Sequence, residues 1–419
     1  MKILPLALKS VANRRFSAFL TVLAIALSVA MLLGVERLRT EARASFANTI
    51  SGVDLLVGAR SGSIQLLLYA VFRIGNATNN MTWESYQDII RHPRVAWAVP
   101  LSLGDSHRGF RVLGTSTGYF EHFRYGRDRA LEFHDGRPFD DLFDAVIGAQ
   151  VARELGYRSG SQIIIAHGAG DVSFIEHGDK PFQVVGVLAP TGTPVDRTVH
   201  ISLEGYEAIH ANWQGGAPVP GLNLTPEQLR GLNLQPKVIT AAMLGLSSRT
   251  AVFGVQRGIN EYPEEPLLAV LPGVALQQLW DLMGVAGKAL MAVSALVVAV
   301  GITGMLTVIL SGLEARRREM AILRSVGARP VHVFGLIVGE AAALTLAGIL
   351  AGVALLYLSI LTLRPLLASD FGLYLGLSAP SPRELLMLAT VLASATVVAA
   401  LPAHRAYKYS VADGMTIRL

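Results

Sequence analysis

The sequence predicts a membrane α-helical protein with four transmembrane helices and one large extracytoplasmic α/β domain. Three observations predict it. Apolar residues make up 52% of the 419 and charged residues only 16%, against roughly 25% charged in ordinary soluble domains. Four stretches are apolar over the about 20 helical residues that a bilayer core of about 30 Å requires. Between the first and second of them lie about 240 residues of mixed polarity, which hold most of the charge and aromatic residues.

The elements follow in chain order. Residues 1–15 form a basic amino-terminal segment with Lys2, Lys9, Arg14 and Arg15 and no acid. The first span, residues 16–36, contains "FSAFLTVLAIALSVAMLLGV". A cleavable signal peptide has a core of about 7–15 residues. The small-residue "ARA" at 42–44 also lies past charged Glu36, Arg37, Arg39 and Glu41, so the span reads as a retained anchor. Residues 37–280 are the α/β domain with stalk helices, followed by a second span at 281–313 and a connector at 314–330. A third span occupies 331–363, a short loop 364–383, a fourth span 384–403, and a tail 404–419.

Arginine and lysine bias beside the spans orients such a chain. Arg316, Arg317, Arg318, Arg324 and Arg329 crowd the connector, and Arg405, Lys408 and Arg418 follow the last span. The loop between spans three and four offers Arg364 and Arg383 against Asp370 and Glu384. Both termini and the connector are therefore expected in the cytoplasm, and the large domain and short loop outside. The same clustering explains the net charge of +5 and the pI near 9.5 through topology, and no nucleic-acid partner is expected. The chain has no cysteine, which excludes a disulfide framework and a thiolate metal site.

Within the large domain, "GFRVLGTSTGYFEHF" reads as a strand, a turn and a helix start, and "DAVIGAQVARELGY" as helix by its apolar spacing. "SQIIIAHGAGDVSFIEHGDKPFQVVGVLAP" reads as strands with Gly and Asp turns. A strand and short helix follow in "TPVDRTVHISLEGYEAIH", then an irregular insertion in "GGAPVPGLNLTPEQLRGLNLQP", and a strand in "KVITAAMLGL". From about Gly273 a helix is expected to run through "VALQQLWDLMG" into the second span.

The connector carries the most specific signal. Residues 312–330, "GLEARRREMAILRSVGARP", hold five arginines and two glutamates between two apolar spans. At 100° per residue Met320, Ile322, Leu323 and Val326 fall on one side, with Glu319 among them, and Arg317, Arg318, Arg324 and Ser325 on the other. A loop resting on lipid headgroups accounts for the arginines. A protein-docking face accounts for them too, and for a carboxylate amid the apolar residues, so the residues alone leave both readings open.

This stretch resembles the cytoplasmic signature of FtsX-like permeases of the MacB and lipoprotein-exporter (LolC/LolE) type, R-x-[KR]-E-[IV]-[GA]-[IL]-[LR]-[RK]-[AS]-[LIV]-G-A. Arg316, Arg318, Glu319, Ile322, Arg324, Gly327 and Ala328 match it. Met320 replaces the usual β-branched residue, and Ala321 stands where Gly is common. The opening "ALKSVANRRFSAFLTVLAIALSVAM", the closing "ALPAHRAYKYSVADGM", "VLGTSTGYFEHF" with "GRPF", and "FQVVGVL" are similar to the family as well. So is the layout of one span, a large outer domain and three spans.

The resemblance implies a MacB periplasmic-core-like outer domain on a multi-pass protein of the bacterial inner membrane. It implies that Arg316, Arg317, Arg318, Glu319, Met320, Ile322, Leu323, Arg324, Val326 and Gly327 form a coupling helix that docks on a cytosolic ABC ATPase. Two ATPase copies would serve a dimer of this permease with itself or a paralogue, with a periplasmic adaptor or lipoprotein as a further partner. Motion would pass through the spans to the outer domain without a pore. An FtsX-like scaffold that activates a cell-wall hydrolase is the alternative within this layout.

No cofactor of its own is expected, because no stretch fits G-x-x-x-x-G-K-[ST]. ATP would be bound by the partner. "GVAGKAL" at 284–290 and "LSGLE" at 310–314 echo nucleotide-binding motifs at wrong spacing or inside spans. "GTSTG" at 114–118 matches the G-x-S-x-G elbow and raises a membrane-anchored hydrolase with Ser116 as nucleophile, but no oxyanion motif accompanies it. No catalytic residue is assigned.

Eight of the ten histidines, His92, His107, His122, His134, His167, His177, His200 and His210, lie in the outer domain. They are ten or more residues apart, unlike the close spacing of many zinc sites, so surface histidines are expected and no metal site is assigned. In the third span Glu340 is read as an interhelical contact. Gly335 with Gly339, and Gly348 with Gly352, form two G-x-x-x-G spacings that permit close helix packing.

Overall fold

The computed structural model describes residues 15–47, 49–126, 128–168, 175–176, 180–214, 217–218, 224–315, 325, 327–371 and 376–408. They form two compact units, one of residues 43–282 and one of residues 1–42 with 283–419.

Helix α1 (Arg15–Ala47) opens the described chain. The outer unit is built on a twelve-stranded mixed sheet. Its strands are β1 (Leu55–Ala59), β2 (Val95–His107), β3 (Phe110–Thr115), β4 (Phe133–Gly136), β5 (Asp144–Ile147), β6 (Gln162–Ile163), β7 (Ala166–His167), β8 (Ile175–Glu176), β9 (Phe182–Leu188), β10 (Thr198–Ser202), β11 (Ala241–Leu246) and β12 (Leu267–Val270). The main order is β12-β1-β11-β2-β3-β10-β5-β9-β4, with β7 added beside β2 and β6 beside β9. Neighbours in space are often far apart in sequence, and β3–β10 and β5–β9 are parallel pairs.

Its helices are α2 (Ser63–Ala70), α3 (Trp83–Ile90), α4 (Gly118–His122), α5 (Ala149–Leu155), α6 (Leu203–His210), α7 (Pro226–Arg230) and α8 (Val252–Asn260). They cover the sheet on both faces, as β1 makes plain. Side chains alternate across a strand. Leu56 packs with Leu66, Leu67, Leu101 and Tyr119, and Leu55 and Val57 pack with Tyr86, Val255 and Ile259. All five β1 residues are buried, the pattern of a strand enclosed on both sides. A third cluster, with Val112, Ile147, Val199 and Ile209, fills the far end. The β2–β3 hairpin turns on Arg108 and Gly109, both at positive φ (45° and 82°), as a two-residue turn matched to strand twist requires.

Two local readings need correction. "DAVIGAQVARELGY" is half strand: Asp144–Ile147 is β5, and helix begins only at Ala149. Its apolar run fits either period, and pairing with β9 and β10 decides for strand. The expected irregular insertion contains a helix, α7. Thr225 and Gln228 form a reciprocal capping box there, with Pro226 in the first turn.

The other unit contains helices α9 (Pro272–Ala315), α10 (Pro330–Phe371) and α11 (Pro382–Lys408) with most of α1. The boundary between the units falls within α1 and within α9. Each of the three later helices starts on proline, whose missing N–H costs nothing at a helix start. Helix α10 runs on to Phe371, past the Leu363 at which the sequence suggested a loop. All four helices are long and apolar enough to cross a membrane: Arg15–Glu41, Pro272–Leu313, Pro330–Leu363 and Pro382–Tyr407.

The membrane unit packs by small residues. Ile25, Val29 and Leu33 of α1 meet Met305, Ile349 and Leu356 in one apolar cluster with Ala395 and Ala399 of α11. A Cβ at Gly348 would stand 2.6 Å from Cγ2 of Ile25, and one at Gly352 would stand 2.7 Å from the carbonyl oxygen of Ala26. Gly301 likewise faces the Ser28 hydroxyl, which lies 3.2 Å from the Val297 carbonyl oxygen. At Gly335 and Gly339, by contrast, nothing lies within 4 Å among the described residues. Gly352→Leu should therefore cost about 1–3 kcal/mol or more by overpacking, and Gly339→Leu almost nothing. Thermal melting of the detergent-solubilised chain separates them. Equal melting points would show that this seam does not hold α1 to α10.

Candidate functional site

The sequence motif of greatest specificity falls largely outside the described residues: Arg316, Arg317, Arg318, Glu319, Met320, Ile322, Leu323, Arg324 and Val326 all do. At its edges, Ser325 is helical and exposed, and Gly327 is exposed with φ 98°. Glu340 is buried on α10 at 8% exposure, in the same helix as the Gly348 and Gly352 contacts with α1.

A buried polar network that the sequence reading did not single out joins three of the long helices. Arg37 of α1 donates from Nε to Oε1 of Glu384 at 3.1 Å, and the two side chains are only 5% and 6% exposed. Its Nη2 donates to the Ser378 carbonyl at 3.0 Å and the Tyr357 hydroxyl at 3.3 Å, and the guanidinium lies 5.0 Å from the Tyr357 ring centroid. Glu384 also accepts from the Ser381 backbone N–H at 2.6 Å, while the Ser381 hydroxyl accepts from the Glu384 N–H, a capping box at the start of α11. Beside it Glu36 meets Arg383 at 3.1 Å and Arg39 at 3.7 Å. Charges so placed must be paired. The available signal was two charges, Glu36 and Arg37, at the end of an apolar span, but only folding brings Glu384 to them.

In the outer unit the histidines depart from the surface expectation. His92 and His134 are exposed, and His122 stacks on Trp97 with centroids 4.6 Å apart. His177 lies outside the described residues. His107 is buried between the Ile164 carbonyl at 2.6 Å and the Tyr157 hydroxyl at 3.1 Å. His200 is fully buried. Burial, helped by nearby Arg73 and opposed by its hydrogen bond to the Val146 carbonyl, pushes its pKa down to about 3. His167 and His210 converge on Asp105, although 43 residues separate them. The spacing rule that predicted scatter counts positions along one element, whereas here three elements meet. Ser116, at the G-x-S-x-G turn, has no hydrogen bond to a histidine among the described residues.

Four membrane-length apolar helices, with an α/β domain lying in sequence between the first and second, define a multi-pass membrane protein with one large inserted domain. The MacB-like periplasmic core domain family matches residues 18–228, and the FtsX-like permease C-terminal family matches residues 291–411. The chain belongs to the FtsX/MacB-type family of ABC transporter permeases.

Among curated proteins, the macrolide export ATP-binding/permease protein MacB of Shewanella sp. (strain W3-18-1) is 22% identical over 369 residues, covering 84% of this chain and 52% of its own. That of Shewanella sp. (strain ANA-3) is 22% identical over 371 residues, covering 85% and 52%. The chain thus spans about half the length of these relatives. Among solved structures, the periplasmic region of MacB from Actinobacillus actinomycetemcomitans aligns with TM-score 0.34 at 10% identity, covering 55% of this chain and 94% of that one.

Arg37→Met leaves Glu384 without its cation. Removing one partner of a buried pair costs about 3–5 kcal/mol, and the low end applies here because the pair lies at helix ends. Arg37→Met with Glu384→Leu should recover part of that loss. Melting of the two variants against wild type checks this, and a single variant as stable as wild type would mean that the pair is not holding α1 to α11.

Proposed function

We propose that this chain is the transmembrane permease subunit of an ABC transporter that works by mechanotransmission. ATP hydrolysis on a separate cytosolic ATPase drives conformational work in the extracytoplasmic space, in export or lipoprotein release. The observation that carries this reading is the basic, amphipathic connector from Arg316 to Gly327 between the second and third apolar spans, in a chain of the FtsX/MacB-type permease family. The connector acts as the coupling helix. Two copies of the ATPase serve a dimer of permeases, identical or paralogous, and an adaptor or lipoprotein meets the outer domain. ATP is bound by the partner, and this chain is not an enzyme.

The protein lies in the bacterial inner membrane with both termini and the connector in the cytoplasm and residues 37–280 outside. Since the chain has no cysteine, single substitutions report topology directly. In intact cells an impermeant thiol reagent should label Ser63→Cys and leave Ser325→Cys unlabelled. The reverse pattern would invert the arrangement and remove the coupling role.

Docking of the connector sets the size of a second effect. Burying Leu323 against the ATPase is worth about 1.5–3 kcal/mol, and an Asp there adds the cost of an unpaired charge. Leu323→Asp should lower ATPase affinity at least roughly 100-fold, with the outer domain still resistant to limited proteolysis. Full ATPase binding by this variant would make the connector a headgroup-facing loop.

A further inference from the structure

Asp105, His167 and His210 each come from a different element. Asp105 lies near the end of β2, where the register against β3 shifts between Leu103 and Ser106. A bulge of this kind re-aims side chains. His167 sits in β7 directly opposite Asp105 across the antiparallel β7–β2 pair. His210 ends α6, and two glycines let that helix approach the sheet. A Cβ at Gly114 would stand 2.8 Å from Cβ of Tyr206, and one at Gly104 would stand 2.7 Å from its hydroxyl.

The facing atoms are close. His167 Nδ1 is 3.0 Å from Asp105 Oδ1, His210 Nε2 is 3.5 Å from Asp105 Oδ2, and the two nitrogens are 3.4 Å apart. Bonds of about 2.0–2.1 Å to a tetrahedral zinc ion place neighbouring ligand atoms about 3.3–3.4 Å apart, and an octahedral ion with the same bonds about 2.8–3.0 Å. The two imidazole nitrogens, 3.4 Å apart, stand at the tetrahedral edge, and each faces one oxygen of the Asp105 carboxylate.

Two further features suit a cation. His210 donates from Nδ1 to the Tyr206 carbonyl at 2.9 Å, which fixes the ring and turns the Nε2 lone pair toward the cluster, as the outer contacts of metal-bound histidines do. Asp105 is wholly buried, and its Oδ2 makes no close hydrogen bond among the described residues: His210 Nε2 stands 3.5 Å away, with the Tyr206 hydroxyl a further polar neighbour of the carboxylate. A buried carboxylate so loosely held is costly, and an ion between it and the imidazoles satisfies it. The His167 side chain is 44% exposed and that of His210 21%, which leaves an open side for entry and for a fourth ligand such as water.

We propose that Asp105, His167 and His210 form a binding site for a divalent zinc-type ion in the outer unit, joining β2, β7 and α6. Histidine nitrogen and aspartate oxygen are both zinc ligands, and two imidazoles favour a zinc-type ion over magnesium or calcium. With no cysteine in the chain, any tight site must be built from nitrogen and oxygen ligands. The site is independent of the coupling connector.

The test uses the full chain in detergent, purified without a histidine tag and stripped with chelator. Calorimetric titration with zinc chloride should give one site per chain. His167→Ala and His210→Ala should each weaken it by more than roughly 100-fold, since even outer contacts of metal ligands are worth 10–100-fold. His92→Ala, at an exposed residue outside the cluster, should bind as wild type does. Cobalt(II) should give the strong visible bands of a tetrahedral nitrogen–oxygen site, lost in His167→Ala, whose exposed position makes misfolding an unsuitable explanation. Circular dichroism of each variant checks the fold. Failure of the wild-type chain to bind zinc, or binding by both histidine variants as tight as wild type, would overturn the proposal and leave a hydrogen-bonded Asp–His cluster.

Discussion

A buried charge has to be paired, and the membrane unit is arranged around that constraint at Arg37. The guanidinium sits on α1, at the end of a span, with the Glu384 carboxylate at the first turn of α11 and the Tyr357 hydroxyl on α10. Three helices contribute to one polar site, so none of them can rotate without exposing a charge to apolar surroundings. Earlier in α1, the contacts with Gly348 and Gly352 fix the same helix by sterics. Polar pairing and close backbone approach thus act at successive levels of one helix. Association among apolar helices depends on such features, since lipid is as apolar as leucine.

The outer unit obeys a different constraint. Its sheet is covered on both faces, so strand β1 is apolar at every position and gives no period-2 signal. That is why β1, and the largely buried β12, are hard to read from sequence, whereas the β3 and β9 strands are plain. The four spans were legible because length and apolarity suffice for them, and the connector because its charge contrasts with its neighbours. The sheet order was not legible, since β1 pairs with β11 somewhat under, and with β12 somewhat over, two hundred residues away. The Asp105 cluster follows from that order and was hidden with it.

Glycine spacing shows the limit of pattern reading at single residues. Gly335 with Gly339 and Gly348 with Gly352 are the same motif on the same helix. Only the second pair touches α1, because α1 offers Ile25, Ala26 and Val29 at that level. A motif states what a helix permits. The neighbour decides whether the permission is used.

The connector illustrates how the two kinds of information combine. Gly327 adopts φ 98°, a left-handed conformation that ends helices and favours glycine. Helical Ser325 precedes it, and α10 starts three residues later at Pro330, where the His332 ring accepts from the Arg329 N–H at 3.0 Å. A left-handed glycine followed by a proline start therefore fixes where α10 begins: the conformation at Gly327 does not propagate a helix, and Pro330 needs no N–H partner at a first helical position.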